Sequence, residues 1–293
     1  MRQLVAVLTL GATAFLSGRL EAADSRSAKT SSLAEAAAFS PQSGETPIGK
    51  IETLSATPSV SVGPIPIGVE ADVYCTGWLG EFEEPFTGRI ASAEAMDNQK
   101  SFVQGDIVYL NIGAKSGVNA GQEYWICRPD RLVQKWDDPA TDIGRVYRTP
   151  GRLRVICTQE EASIAEIVLS CSDIELGDQL LPFEPVPIPL ARRTRPTTSC
   201  DAPNGKVEGH IVEVKDYATP AATDSVVFLD LGERDGLSAG DFMTVYRPRN
   251  AQSTFVRTIL GEVSILATKS HSSIAIVTMT VDSMHAGDWV ELK

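Results

Sequence analysis

The stretches GAKSGVNAG and GERDGLSAG, which begin at Gly113 and Gly232, carry residue types that three kinds of chemistry use. Glycines beside a lysine and a serine suggest a loop that binds phosphate. The carboxylates of the second stretch suggest calcium ligands. Ser116 suggests a nucleophile, which would require a general base beside it.

The phosphate and nucleophile interpretations fail on spacing. A phosphate-binding loop has Gly followed directly by Lys and then Ser or Thr, whereas Ala114 separates Gly113 from Lys115 and no helical pattern follows. Ser116 lies in no Gly-x-Ser-x-Gly setting and has no histidine nearby in the sequence.

Calcium binding fails to explain both copies, because the acidic positions are not shared. The second stretch and its flanks have Asp230, Glu233, Asp235 and Asp241, where the first has Asn111, Ala114, Ser116 and Gln122. A calcium site in the second copy alone stays open at this point.

Histidine and carboxylate side chains suggest no reaction centre elsewhere. The histidines His210, His271 and His285 are spaced too widely for the close pair that a zinc site needs. Glu160 and Glu161 fall in a predicted turn, and we interpret them as solvated. We therefore expect a non-enzymatic protein with no catalytic residue, no metal ligand and no cofactor.

The residues common to both stretches predict a structural turn instead. Glycine adopts positive φ without a Cβ clash, so it suits a sharp reversal between strands. An aliphatic residue, Val118 or Leu237, is expected to close the open end of a barrel. The predicted turn residues are Gly113, Gly117, Gly121, Gly232, Gly236 and Gly240.

The turns belong to a duplicated domain. One constant offset relates the two glycine sets and also Arg128-Pro129 to Arg247-Pro248, and a second relates Gly151 to Gly261 and Gly177-Asp178 to Gly287-Asp288. Chance does not hold register over such lengths, and the period is far longer than a solenoid repeat.

Each copy has the alternation of β-strands. In DIVYLNIG one face carries Val108, Leu110 and Ile112, and SVVFLDLG has Val227, Leu229 and Leu231 in the same places. Similar alternation in GRLRVIC and SIAEIVL, and in their counterparts, predicts an antiparallel meander closed into a small barrel. We predict an all-β fold with two tandem, small, SH3-like antiparallel barrels.

Composition divides the chain. An apolar run after Arg2 that is too short to span a bilayer, followed by Ala22 and Ala23, predicts a signal peptide at 1–23, with an uncleaved anchor as the alternative. Residues 24–66 have few large apolar side chains and no aromatic one except Phe39, and they are expected to form a disordered tether. The barrels are predicted at 68–183 and 206–293, joined by a Pro- and Arg-rich linker at 184–205.

Charge limits the partners. A net charge of -12 disfavours nucleic acid. Two locally basic loops remain, after Arg128 and after Arg247, and Trp136 or Tyr147 could stack on a sugar. The alternative is that these charges pair within the chain. The candidate partner contacts are Arg131, Lys135, Trp136, Arg145, Tyr147, Arg148, Arg247, Arg249 and Arg257.

Five cysteines fit an oxidising compartment and leave one unpaired. Cys171 is replaced by Val281 in the second copy, and Cys75 lies in an extra segment before the repeat, so a bridge between them would hold that segment to the barrel and contribute on the order of 4 kcal/mol. Cys127 and Cys157 could pair or stay buried. Cys200, in the linker, is expected to be the free thiol.

The segments GDIVYLNIGAKSGVNAGQEYWICRP and GRLRVICTQEEASIAEIVLSCSDIELGDQLLPFE resemble uncharacterised secreted acidobacterial-type proteins, some of which carry LysM peptidoglycan-binding domains. More distantly, both copies resemble the C-terminal domain of flagellar assembly protein T. The resemblance implies a non-enzymatic module of the cell envelope. No LysM domain and no flagellar N-terminal domain are recognisable, so neither role transfers whole.

Together these features predict a periplasmic or secreted adaptor that contacts cell-wall glycan or an envelope protein assembly. A structural part of a flagellar or secretion machine is the alternative. We expect no nucleic-acid partner and no membrane span once the signal peptide is removed.

Overall fold

The computed structural model describes residues 65–95, 100–191, 195–250 and 253–293, except for the side chains from 250 to 255. The predicted signal peptide and nearly all of the predicted tether lie outside these residues. Within the described ranges, no helix has the length and apolarity that a membrane crossing requires.

The described part of the first copy is built from strands with one short helix and one turn of 3-10 helix. These elements are α1 (Glu70–Tyr74), β1 (Trp78–Gly80), β2 (Gly88–Ala93), β3 (Ile107–Leu110), η1 (Ala114–Ser116), β4 (Glu123–Lys135), β5 (Asp138–Thr158), β6 (Ser163–Ser170) and β7 (Gln179–Pro182).

The described part of the second copy repeats this pattern without a counterpart of α1 and β1. Its elements are β8 (Glu208–Val214), η2 (Lys215–Tyr217), β9 (Val226–Leu229), η3 (Glu233–Asp235), β10 (Phe242–Asn250), β11 (Ser253–Thr268), β12 (Ser273–Thr280) and β13 (Trp289–Leu292).

Each copy closes into an antiparallel barrel. In barrel 2 the strand order is β10-β11-β12-β9-β8-β13. In barrel 1 the order β5-β4-β7-β2-β3-β6 is closed by pairing of β5 with β6, and β1 extends the sheet beyond β5. The two rings correspond strand for strand, so the predicted all-β fold with two tandem antiparallel barrels is confirmed.

The strand faces predicted from alternation fill the barrel interiors. Val108, Leu110 and Ile112 lie in one core, and Val227 and Leu229 lie at the same places in the other. Val118 and Leu237, which follow the repeated glycines, are also buried in these cores. An aliphatic side chain therefore closes the same end of each barrel, as the sequence predicts.

The repeated glycines serve two different needs. Gly117 and Gly236 have φ of 79° and 83°, the left-handed conformation that ends the 3-10 turns η1 and η3. Gly113 is extended, but a Cβ there would run into the backbone of Gln159 and Ala162. Gly113 is thus required by the close approach of two loops rather than by its own dihedral angles.

The Cys75–Cys171 bridge predicted from the sequence is present, with the two Cα atoms 5.4 Å apart. It joins the end of α1 to the segment after β6 and so holds the extra segment on barrel 1. The remaining cysteines are free, with Cys127 buried and Cys157 and Cys200 exposed.

The Pro-rich linker is packed rather than freely extended over its first part. The amide of Ile67 donates to the carbonyl of Pro189 at 3.0 Å, and the Tyr74 hydroxyl donates to the carbonyl of Val186 at 3.2 Å. Val186 also packs against a cluster of buried apolar residues that both barrels contribute to, described below.

Candidate functional site

The acidic residues considered as calcium ligands are used to hold backbone amides. A carboxylate oxygen of Asp235 accepts from the amide of Gly232 at 2.9 Å, and Asp241 accepts from Ser238 at 2.8 Å. Asp230 accepts from the amide of His210 at 2.6 Å. Across the described residues, no group of three His, Cys, Asp or Glu side chains is placed to hold a metal ion.

The histidines take up separate positions. His210 contacts Asp230 at 3.2 Å and lies against the Trp289 ring, with the ring centroids 4.3 Å apart. His271 lies beside Arg234 in the loop between β11 and β12. These contacts are with Asp230, Trp289 and Arg234 rather than with a serine or cysteine.

Two equivalent ion pairs explain why Arg-Pro and Gly-Asp recur in both copies. Arg128 donates two hydrogen bonds to the Asp178 carboxylate, at 2.7 and 2.8 Å, and Arg247 does the same to Asp288. These bonds raise the pKa of both guanidinium groups above the ordinary value. The four residues occupy equivalent positions in the two copies. Their pairing could not be seen in the sequence, because it depends on β4 lying beside β7 and β10 lying beside β13.

The basic loop of barrel 1 is the far part of a long hairpin formed by β4 and β5, and we call residues 129–147 the arm. Its register runs from Pro129 opposite Tyr147 to Lys135 opposite Asp138. At its tip, the Trp136 ring lies over Gly287 of barrel 2, where an added Cβ would collide with it. The hairpin that corresponds to the arm in barrel 2 is shorter, with Arg247 opposite Thr258.

Most candidate contacts on the arm pair within the chain. Arg131 forms an ion pair with Glu213 of barrel 2, and its guanidinium lies 4.6 Å from the centre of the Tyr217 ring. Arg148 contacts Asp130 at 3.4 Å. The hydroxyl of Tyr217 donates to the same carboxylate at 2.7 Å, and this bond raises the tyrosine pKa.

Other charges in the candidate set are also engaged. Lys135 contacts Asp137 at 3.1 Å, Arg145 donates to the carbonyl of Asp130 at 2.7 Å, and Arg249 donates to Thr258 at 3.2 Å. Together with the Arg131 contacts, they show that the arm uses its charge to hold barrel 2 and to pair within itself.

Two of the candidate contact residues are wrong. Tyr147 is only 1% exposed, because its ring stacks on Trp78 and meets the Phe86 ring edge to face, and its hydroxyl donates to the carbonyl of Glu81. Arg257 is 3% exposed and donates to Glu291 at 2.6 Å. These neighbours cover both side chains, so neither is accessible to a partner.

The two barrels meet through an apolar layer. Barrel 1 contributes residues of α1, β1 and the arm, and barrel 2 contributes the outer face of β9, β11 and β12. The buried members are Val73, Leu79, Val133, Val146, Val226, Phe228, Leu266, Ile274 and Ile276. The Ser272 hydroxyl adds a hydrogen bond to the carbonyl of Leu79.

A cleft runs along this junction and has two adjoining parts that share Leu79, Lys269 and Ser272. The first part, of about 530 Å³, has polar and apolar walls in about equal measure and contains carboxylates of both barrels, Glu84 and Asp230 among them. The second, of about 320 Å³, is mainly apolar and contains Trp78 and Trp125. Clefts between domains with apolar walls and a few polar groups are the usual place for ligands.

Aromatic side chains form the wall of the apolar part. The Trp125 ring packs on Phe183 and Tyr74, with centroid distances of 4.7 and 5.4 Å. Trp78 donates from its indole nitrogen to Glu84 at 3.1 Å, and the Lys269 ammonium lies 5.2 Å from the centre of its ring. The wall is therefore preorganised by stacking and by charged neighbours.

Sequence reasoning missed these residues. Trp78, Trp125 and Lys269 belong to no motif, and only the tertiary packing of the barrels brings them together. One signal was present, because Lys269 stands where barrel 1 has Gln159, and the loop from 269 to 272 changes character between the copies.

The arrangement can bind, through stacking, hydrogen bonds and opposite charges. Comparison of the chain with known protein families and with curated proteins finds no match.

Proposed function

We propose that this chain is a non-enzymatic, exported binding protein of the bacterial cell envelope that holds cell-wall glycan in the cleft between its barrels. The observation that carries the proposal is the cleft itself, with an aromatic wall beside a compartment that contains charged side chains of both barrels. Amino sugars and the peptides attached to them present apolar faces, amides and charges, which match these two compartments. The predicted signal peptide and the resemblance to secreted envelope modules support the location in the periplasm or outside the cell.

Binding to isolated sacculi tests the proposal. The exported protein is mixed with sacculi over a series of salt concentrations, and the bound fraction is measured. Lys269→Ala is expected to lower the bound fraction, because it removes a cation shared by both parts of the cleft. Retention of the wild-type protein is expected to fall with salt.

Lys115→Ala is the matched control. Lys115 lies in the 3-10 turn η1 of barrel 1, pairs with Glu160 at 3.2 Å, and is absent from the residues that line the cleft. It should bind sacculi like the wild type. Equal loss in both variants, or no binding of the wild type at low salt, contradicts the glycan proposal.

A structural role in a flagellar or secretion machine is the second candidate. It is favoured by the buried apolar layer and the arm, which together hold the two barrels in contact. This candidate expects co-purification with basal bodies or secretin complexes and no retention on sacculi. A hydrolase is tested by turnover in an unbiased substrate screen, and turnover would overturn both proposals.

A further inference from the structure

The outer face of barrel 1 repeats the face through which barrel 2 binds its neighbour. In barrel 2 this face is formed by Val226, Phe228, Leu266, Ile274 and Ile276, all in the buried layer between the barrels. Cross-strand pairing sets the equivalence: Phe228 lies opposite Ile274 in barrel 2, and Tyr109 lies opposite Ile164 in barrel 1.

A shared irregularity of the ladder makes the correspondence more specific. In β11 the register shifts between Ile265 and Ala267, so Leu266 is an extra residue that points away from the barrel interior. In β5 the register shifts at the same place, between Val155 and Cys157, and the extra residue is Ile156. Each copy therefore has one large aliphatic side chain, Leu266 or Ile156, that projects outward from the equivalent bulge.

The two faces differ in what covers them. Leu266 is 0% exposed beneath the extra segment and arm of barrel 1, whereas Ile156 is 51% exposed. Around Ile156, the side chains of Ile107, Tyr109 and Ile164 are only half-buried. We call these four residues, with Cys157, the open face.

We propose that the open face binds a second copy of this chain. The molecule itself shows that modules of this kind associate through this face, since barrel 2 uses it to bind barrel 1. A second copy supplies the same module, and two open faces can pack across a two-fold axis in the way that sheets stack.

Charge at the border of the open face suits a two-fold contact. Arg154, which also pairs with Glu123 at 2.9 Å within the chain, lies opposite Glu166 on the neighbouring strand, where barrel 2 has Ser264 opposite Ile276. A two-fold axis through the face brings Arg154 of one copy toward Glu166 of the other. Elsewhere two copies of a chain with a net charge of -12 repel each other, so an apolar patch bordered by both signs is the favoured place to meet.

Analytical ultracentrifugation of the exported protein over a range of concentrations tests the proposal. The wild type is expected to reach twice the mass of one chain, and Ile156→Glu is expected to stay at the mass of one chain. Val281→Glu is the matched control, because Val281 is 67% exposed on barrel 2, outside the equivalent of the open face. It should dimerise like the wild type.

A second measurement uses the thiol in the open face and keeps the wild-type residues there. In a Cys200→Ser variant, Cys157 is the exposed free thiol among the described residues, because Cys127 is buried. Its alkylation by a bulky maleimide should slow as protein concentration rises. The same rate at every concentration contradicts the proposal.

Two results overturn the second-copy proposal: a wild type that is monomeric at every concentration, or an Ile156→Glu variant that still dimerises. If the wild type is monomeric and its sacculus binding is lost in Ile156→Glu, the open face belongs to another occupant. The proposal does not depend on glycan binding in the cleft, because Lys269→Ala should leave dimerisation unchanged.

Discussion

The carboxylates of Asp178 and Asp288 each hold a turn and a strand together. Besides the two bonds from arginine, Asp178 accepts from the amide of Glu175 at 2.8 Å, and Asp288 accepts from His285 at 2.7 Å. Both side chains are nearly inaccessible, at 3% and 4% exposure. A buried carboxylate is stable only while its partners remain, so each arginine supports the end of its barrel.

Removal of one arginine should therefore cost stability. We expect Arg128→Met to lower the free energy of unfolding by about 3 kcal/mol, because it leaves the Asp178 charge buried without its cation. Urea unfolding measures the loss. Lys115→Met is the control, since its glutamate partners are more than three-quarters exposed, and its unfolding midpoint should match the wild type. Equal midpoints for both variants would contradict the proposed role.

Tyr246 should make stability fall in alkali. Burial, together with a hydrogen bond to Glu208 at 2.9 Å, raises the pKa of its phenol above the ordinary value of 10.0. The unfolded chain then releases this proton at lower pH than the folded chain, so the stabilisation is present below pH 10.0 and is lost as pH rises above it.

Tyr246→Phe removes this titration. Urea unfolding on both sides of pH 10.0 should show a smaller alkaline loss of stability in the variant than in the wild type. Part of the loss will persist, because burial also raises the pKa of Tyr124 and Tyr147. Parallel profiles for the two proteins would rule out a contribution from Tyr246.

At the scale of elements, one turn design recurs. A side-chain oxygen accepts the amide three residues earlier, and the glycine before it has positive φ. The described examples are Val103–Asp106, Asn119–Gln122, Glu175–Asp178, Ser238–Asp241 and His285–Asp288. The change from Asp241 to Gln122 keeps the acceptor, so these polar residues were free to vary without loss of the turn.

The two roles of the repeated glycines lead to different costs. Gly117→Ala places a Cβ in open space at a φ of 79° and should cost about 1 to 2 kcal/mol. Gly113→Ala forces a Cβ against backbone atoms of Gln159 and Ala162 and should cost more. Urea unfolding of both variants measures the order. If Gly117→Ala lost more stability than Gly113→Ala, the loop that contains Gln159 and Ala162 would have to move aside at little cost.

The sequence predicted the elements well, because their causes are local. Alternation identified Val108 and Leu110 as core residues, and glycine spacing identified the turn at Gly117. The outer faces were beyond such reasoning. Leu266 and Ile156 occupy the same place in the same pattern, and only the packing of whole barrels buries one and exposes the other. The cleft was missed for the same reason.

At the scale of the molecule, the disulfide secures the segment that covers barrel 2. Cys75 ends α1, and the neighbouring Val73 and Leu79 lie in the apolar layer between the barrels. The bridge spans 96 residues, a separation for which chain entropy suggests on the order of 4 kcal/mol.

The double variant Cys75→Ala/Cys171→Ala should lose stability of that order and should open the junction between the barrels. Limited proteolysis is expected to cut first near α1, because the segment is no longer tied to barrel 1. Cys127→Ala is an unsuitable control because Cys127 is buried, whereas the exposed Cys200→Ala should leave cleavage unchanged. If the double variant were cleaved at the same rate and place as the wild type, packing without the disulfide would be enough to hold the segment that contains α1.

The arm makes two similar barrels unequal. The arm is an extended hairpin of barrel 1, and Gly287, which its Trp136 ring contacts, belongs to barrel 2. In a chain with the order of the two copies reversed, every strand pairing within each barrel would be kept. The connection between the barrels would then have another direction and length, and it would no longer bring Trp136 to Gly287. Duplication gave two barrels of the same topology, and the longer β4-β5 hairpin of barrel 1 makes their order along the chain matter.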